Sequence, residues 1–315
     1  MSATNAFLTY DSVGIREDLI DVIYDISPTD TPFVSNVASG SSKGTYHEWQ
    51  SDELEAPVDD PQAEGADAAN QVLNPTVRLG NYCQIQTRSF GISGTDLVAD
   101  NAGRGVEMAY QEAKKGLELR KSVEFTCVAV NKGYVAGTGG APTREVGTIQ
   151  SWLASNFVTA TDGVAPTGDG SDARTAGATT GVFVEADLEA VIDAIYLAGG
   201  SPDIIMANTV QKRVITNTFR GSTDQNRLST DAKKIINAVD FYESDYGTLS
   251  IVPNRYMTQD MVYVLDSDMW EVAYHRPYQT YDLAKTGDNE SKQMVVEWTL
   301  VSREEAASGI IADLT

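Results

Sequence analysis

Few stretches of this chain hold residue types that chemistry needs, and their neighbours decide what each one is. Lys285, Thr286 and Gly287 form the triplet that penicillin-recognising serine enzymes place on a strand beside their nucleophile. No lysine in the chain has a serine three positions before it, and no Ser-Asp-Asn occurs, so the partners of that chemistry are missing. Gly287-Asp288-Asn289 reads instead as a reversal between two strands. "GSSKG", Gly40 to Gly44, fits Gly-x-Ser-x-Gly with Ser42 as nucleophile. That elbow needs a strand before and a helix after. Here the preceding "PTDTPFVSN" is interrupted by proline and the following "TYHEWQ" is strand-like, so a flexible joint is the simpler reading. A serine hydrolase using Ser42 with His47 or His275 stays as the enzymatic alternative.

His47 and His275 sit beside aromatics, Tyr46 and Trp49 in one case, Tyr274 and Tyr278 in the other, without the His-x-x-x-His spacing of a zinc helix. Asp162, Asp169 and Asp172, and the acids Asp52, Glu53, Glu55, Asp59, Asp60 and Glu64, offer the carboxylate oxygens that Ca²⁺ and Mg²⁺ prefer. Neither run matches a dedicated cation loop, and a solvated face or a docking site for a neighbour's basic residues is the plainer reading. No phosphate-cradling Gly-x-x-x-x-Gly-Lys-Ser/Thr is present. The motifs predict no catalytic residue and no cofactor.

Composition narrows the class further. The chain has 315 residues, 42% of them apolar, enough for a sizeable core. Its 23 Lys and Arg stand against 45 Asp and Glu, a formal charge of −22 that disfavours phosphate backbones and anionic lipid over most of the surface. Neither a spanning segment nor a secretory leader is legible, so the expectation is a cytosolic product without a membrane role. Cys83 and Cys127 stand apart from each other and from the histidines and read as buried small hydrophobes.

The expected elements mix helix and strand. Ile15, Leu19, Val22, Ile23 and Ile26 share a helical face that Pro28 and Pro32 end. "TYHEWQ" and "TVRLGNYCQIQTRSFGIS" predict a long hairpin with an acidic tip, Val77, Leu79, Cys83 and Ile85 sharing one face. Such a ribbon is marginal alone and is expected to rest on something outside its own subunit. From Thr95 to about Lys132 the stripe Val98, Ala102, Val106, Ala109, Ala113 and Leu117 predicts one long helix, interrupted only by the turn cluster "DNAGRG" and with Gly103 and Gly116 as the points where it can kink, and with Arg120 and Glu124 as a surface pair. Residues 159–181 read as an exposed loop beside the island "IQSWLASNF". An α/β block follows: a helix closed by Gly199 and Gly200, the buried strand "PDIIMA", a helix capped by Asn208 or Thr209, then short strands. "YQTYDLAK", a turn and "KQMVVEWTLVS" make a closing hairpin.

In this order the parts resemble the major capsid protein family of tailed bacteriophages with the HK-97-like fold. The resemblance is carried by "GIREDLIDVIYDISPTDTPFVSNV", "HEWQSDEL", "EGADA", "RLGNYCQI", "YESDYGTLSIVPNRYM" and "RPYQTYDLAKTGD". It covers nearly the whole chain and is weakest over 137–181. It implies an α+β fold with an N-arm at 1–40, an extended E-loop at 41–94 and a spine helix of the peripheral domain at 95–136. It further implies a loop-rich insertion or linker at 137–181, an axial α/β domain at 182–275, and a hairpin with tail at 276–315 completing the peripheral domain.

The implied function is a head protein that self-assembles as hexamers and pentamers into the icosahedral shell of a virion. Such a shell is put together in the host cytoplasm around double-stranded DNA that it encloses without reading sequence. Portal, scaffolding and cement proteins are the implied further partners. Trp49, Asp52, Glu53, Glu55, Asp59, Asp60 and Glu64 become candidate inter-subunit contacts. One departure is visible: the family's best-known member cross-links through an E-loop lysine, whereas the tip here has none and Lys43 lies at its base. Non-covalent locking or cement proteins are therefore expected. An encapsulin-like compartment or a surface layer is the structural alternative.

Overall fold

The computed structural model describes residues 27–65, 67, 70, 73–99, 101, 105–159, 162–221 and 240–315; the helix expected before Pro28 lies outside them. The first half contains α1 (Pro32–Asn36), β1 (Ala38–Ser41), β2 (Tyr46–Ser51), β3 (Val77–Tyr82), β4 (Gln84–Ser93), α2 (Gly94–Val98), α3 (Glu107–Val128), α4 (Ile149–Trp152) and β5 (Phe157–Thr159). The second contains α5 (Glu185–Leu197), β6 (Ile204–Ala207), α6 (Thr209–Gly221), β7 (Phe241–Ser244), β8 (Gly247–Pro253), β9 (Val262–Leu265), β10 (Trp270–Asp282), β11 (Asn289–Ser302) and β12 (Gly309–Ala312). They build a sheet ordered β1-β10-β11-β4, a larger one ordered β5-β12-β9-β6-β8-β7, and a two-stranded ribbon of β2 with β3.

The larger sheet explains its own sequence. Ile204 and Met206 point into one core with Tyr263, Leu265, Ile310 and Ala312, while Ile205 and Ala207 point into another with Val262, Val264 and Ile311. A strand buried on both faces needs no polar alternation, which is why "IIMA", "VYVL" and "GIIA" read as unbroken apolar runs. The second core is closed by α5, whose Leu188, Val191, Ile192 and Ile195 recur at helical spacing and are buried. Gly199 ends that helix at φ +90°, where a side chain would be strained, and its N–H donates to Tyr196 O. Asn208 Oδ1 accepts from Val210 N and so caps α6.

β10 and β11 form the expected hairpin, antiparallel from Trp270↔Ser302 to Asp282↔Lys292. Its register shifts between Arg276 and Gln279, around Pro277, which has no N–H to give the ladder. The hairpin divides the chain differently from the expected 182–275 block: β10, which starts at Trp270, joins the smaller sheet, while β5 and β12, from outside that span, join the larger one. β12 lies between β5 and β9, parallel to the first and antiparallel to the second.

The expected single helix from Thr95 is divided. Ala99 and Val106 are both extended, so α2 and α3 are separate, and Val98, Val106 and Leu117 of the expected stripe are 87%, 64% and 43% exposed. The face that packs carries Leu119, Val123 and Cys127 instead. The Arg120–Glu124 surface pair is also corrected. Arg120 lies over the Tyr278 ring, and Glu124 is fully buried, accepting from Phe33 N (2.9 Å), Val34 N (2.9 Å) and Asn254 Nδ2 (2.6 Å). The carboxylate thus takes up two amides at the start of α1, which α1 cannot satisfy within itself. Burial raises its pKa above the usual glutamate value, and the three donors only partly offset this.

Within the expected loop-rich stretch 137–181, the island "IQSWLASNF" and the residues before it are core: Val146 to Leu153 are all buried, with Trp152 among the largest side chains inside. The loop that follows is pinned by Arg174, 4% exposed, whose guanidinium reaches Asp313 (3.0 Å), Asp260 (2.8 Å) and Gln150 (2.9 Å). Burial works against the Asp313 charge, but donors from Thr159, the Gly177 amide and Arg174 outweigh it and hold its carboxyl below the ordinary range.

Two outcomes follow from these buried charges. Arg174→Ala leaves Asp313 buried without its cation and costs about 3–5 kcal/mol, read as a fall of roughly 5–10 °C in calorimetric melting temperature. Glu124→Gln loses one acceptor for the α1 amides and costs about 1–3 kcal/mol near pH 5. Because the native Glu124 keeps its proton longer than the unfolded one, the wild type loses stability as pH rises through the raised native value. The gap between variant and wild type therefore narrows in paired denaturant titrations as pH is taken above the ordinary glutamate range.

Candidate assembly interface

The ribbon that carries the acidic tip is built outward from the body. Trp49 of β2 packs on Trp152 with ring centroids 5.3 Å apart, and Leu79 opposite it joins the same core. Tyr46 and Tyr82, also opposite each other, lie 4.4 Å apart and both meet Tyr134. Burial first, then the Tyr134 hydroxyl, pushes the Tyr46 phenol up to about 12. Ser51 Oγ donates to Glu304 (2.6 Å), the last tie before the tip. The base of the ribbon therefore rests on its own chain, which corrects the expectation of outside support there, and Trp49 serves as an anchor to Trp152.

Asn81 was missed by the sequence reading. Fully buried between Leu79 and Cys83, it accepts from Gly147 N (2.8 Å) and donates to Gly147 O (3.0 Å) and Leu300 O (2.8 Å). It satisfies backbone groups that the junction of ribbon, sheet and α4 would otherwise strand. Its only signal was a polar residue at a period-2 apolar position. Val77 and Ile85, expected on that face, are 59% and 44% exposed.

Beyond Ser51 the ladder stops. Residues 52–65 are all exposed and, among the described residues up to Thr76, none belongs to a strand. Leu54, Val58 and Leu73 are 99%, 77% and 90% exposed, while Asp52, Glu53, Glu55, Asp59, Asp60 and Glu64 stand around them in water. Residues 51–56, with Asn74, Pro75, Val77 and Leu79, border an open cleft of about 660 Å³ that also touches Glu304. The tip thus holds apolar side chains away from their own core, with like charges between them.

The chemical candidates fall into ordinary places. Ser42, after β1 and before β2, donates its hydroxyl to Gly44 O (2.8 Å), and no helix follows it. His275 Nδ1 lies 3.1 Å from the Ser42 carbonyl oxygen, which can only accept, so that nitrogen carries the proton and no base meets the hydroxyl. His47 packs against Trp49. Lys285 to Gly287 occupy the exposed turn between β10 and β11, where Asp288 O accepts from Gly94 N.

Asp169 and Asp172 bind Thr167, Asp169 also takes Ser171, and Asp162 accepts from Ala178 N. These acids are spent on shaping their loop, and among the described residues no group of three or more His, Cys, Asp or Glu has the arrangement to hold a metal. Cys83 and Cys127 are both buried and free.

Known proteins place this architecture. The chain matches the family described as SU10 major capsid protein over residues 2–315. A major capsid protein of Escherichia phage Phieco32 is 29% identical over 344 residues, covering 99% of this chain and 97% of that one. Among solved structures, the cyanophage A-1(L) capsid subunit superposes with a TM-score of 0.72 at 14% identity, over 98% of both chains. The capsid of a native GTA particle gives 0.65 at 11% identity, again over 98% of both. At such identities the likeness speaks for the fold, which is the α+β HK-97-like fold of phage capsids. The family is shown by the match along almost the entire length, and the chain belongs to the SU10 major capsid protein family.

Proposed function

We propose that this major capsid protein assembles as hexamers and pentamers into a closed icosahedral shell around the double-stranded DNA of a tailed virus, in the cytoplasm of its host. In this reading residues 1–40 are the N-arm, 41–94 the E-loop, and α2 with α3 the spine region. The smaller sheet is the peripheral domain and the larger sheet with α5 and α6 the axial one.

The observation that carries the reading is the exposed tip, with Leu54 and Leu73 almost wholly in water although the body has cores able to bury such residues. A subunit that spends apolar surface on a projecting loop gains stability when another copy covers it, and many repeated contacts add up through avidity. Asp52, Glu53, Glu55, Asp59, Asp60 and Glu64 would lie at those contacts. No lysine or arginine occurs between Ser51 and Thr76, which favours non-covalent locking, with cement proteins as added partners, over covalent cross-links through the tip. The net charge of −22 suits a wall that repels packed DNA and lets it leave, so no sequence-specific DNA contact is needed. The Ser42 hydroxyl donates to Gly44 O and His275 Nδ1 faces the Ser42 carbonyl instead of the hydroxyl, which favours the shell reading over a serine hydrolase.

Negative-stain microscopy of the purified chain across a range of ionic strengths tests this: five- and six-membered rings and closed shells are expected, and a lone particle at every salt concentration contradicts it. Leu54→Ser with Leu73→Ser should leave the melting of the unassembled subunit within about 0.5 kcal/mol of wild type, while shells become fewer. A large loss of subunit stability would mean the tip belongs to its own body.

A further inference from the structure

The end of α5 and the turn between β7 and β8 form an aromatic face that the chain leaves open. Tyr196 of α5 and Tyr246 of the turn stack with ring centroids 4.4 Å apart, yet remain 55% and 47% exposed, and Leu197 beside them is 85% exposed. Tyr242 of β7 roots the hairpin in the body by stacking on Phe219 of α6 at 4.9 Å.

The charges around these rings are all of one sign. Glu185, Glu189 and Asp193 recur at i, i+4 along α5, an arrangement that repels itself and weakens a helix. Tyr246 donates its hydroxyl to Asp193, which raises the phenol above its ordinary range. Burial, then the charges of Glu189, Glu185, Asp245 and Asp193, raise that of Tyr242. Four carboxylates thus border the tyrosines, and neither α5 nor β7 nor β8 contains a lysine or arginine to answer them.

Charge decides what can cover such a face. A phosphate backbone or anionic lipid is repelled. A second copy brings the same acidic face, and its Arg78, Arg144, Arg174, Arg276 and Arg303 already hold carboxylates. A basic segment of a different protein fits: a guanidinium lies flat on a tyrosine ring while its edge donates to a carboxylate, which an ammonium matches in charge alone.

We propose that the Tyr196–Tyr246 face binds an arginine-bearing segment of a second protein species, the guanidinium stacking on the exposed rings while Glu189, Asp193 and Asp245 hold its charge. The single subunit carries the whole face, so the inference does not depend on shell formation.

Fluorescence anisotropy with the unassembled full-length chain tests it, using a labelled peptide of alternating glycine and arginine and its lysine counterpart at about 0.15 M salt. The wild type should bind the arginine peptide about threefold or more tighter than the lysine one. Tyr196→Ala with Tyr246→Ala should weaken the arginine peptide about fivefold and abolish the preference. Glu189→Gln with Asp193→Asn should weaken both peptides, whereas Glu53→Gln with Glu55→Gln on the distant tip removes the same charge and should change neither. Equal binding of the two peptides by the wild type, no binding at all, or an equal loss in the tip variant overturns the proposal. Should the double alanine variant melt early, Tyr196→Leu with Tyr246→Leu keeps the apolar bulk and should still lose the arginine preference; a preference that survives it overturns the stacking.

Discussion

A carboxylate held by hydrogen-bond donors instead of a cation keeps three parts of this subunit in one piece. Glu124 joins the first amides of α1, the long helix α3 and Asn254 in the turn after β8. With α1 fixed there, Phe33 meets Trp270 edge to face at 6.3 Å, and β1 follows directly into its parallel pairing with β10. The smaller sheet is thereby fastened to the larger one through a group that water does not reach. Everything that projects from the body does so from this frame.

The balance between frame and projection is what makes the molecule a building block. Its two cores share the larger sheet between them, so the body does not need a neighbour to hide its apolar strands. The acidic tip is different, since its leucines and valine have no place inside the chain that makes them. In the proposed assembly, net repulsion between acidic copies works against early clumping, and the short-range burial of the tip's apolar anchors acts only when copies meet in the right orientation. Rigid anchoring of the ribbon by Trp49, Asn81 and Ser51 reduces the ordering that such a meeting requires.

Much of this was legible before any coordinates. The run "IIMA" identified a buried strand and "VYVL" a short one, the Gly199-Gly200 stop and the cap at Asn208 or Thr209 bounded their helices, and "TGDNES" marked a turn and not a catalytic triplet. What the sequence concealed was long-range. Glu124 at helical spacing from Arg120 looks like a surface pair until α1 arrives from far away with two unsatisfied amides. Arg174 sits in a Gly- and Thr-rich stretch whose order depends on Asp260 and Asp313, near the other end of the chain. The break between α2 and α3 has no proline to announce it. Tip residues were read correctly as acidic and exposed, but their anchor was not, because Trp49 finds its partner in a stretch taken for loop.

The position of β12 bears on how the subunit is made. This strand occupies an inner place in the larger sheet, yet it comes last in the order of elements. Until residues 309–312 have emerged from the ribosome, β5 and β9 face each other across an unfilled gap, and Ile310 and Ile311 are missing from the two cores they complete. Closure of the sheet therefore waits for residues 309–312, and a chain that has not yet placed them lacks the solid body from which a wall could be laid.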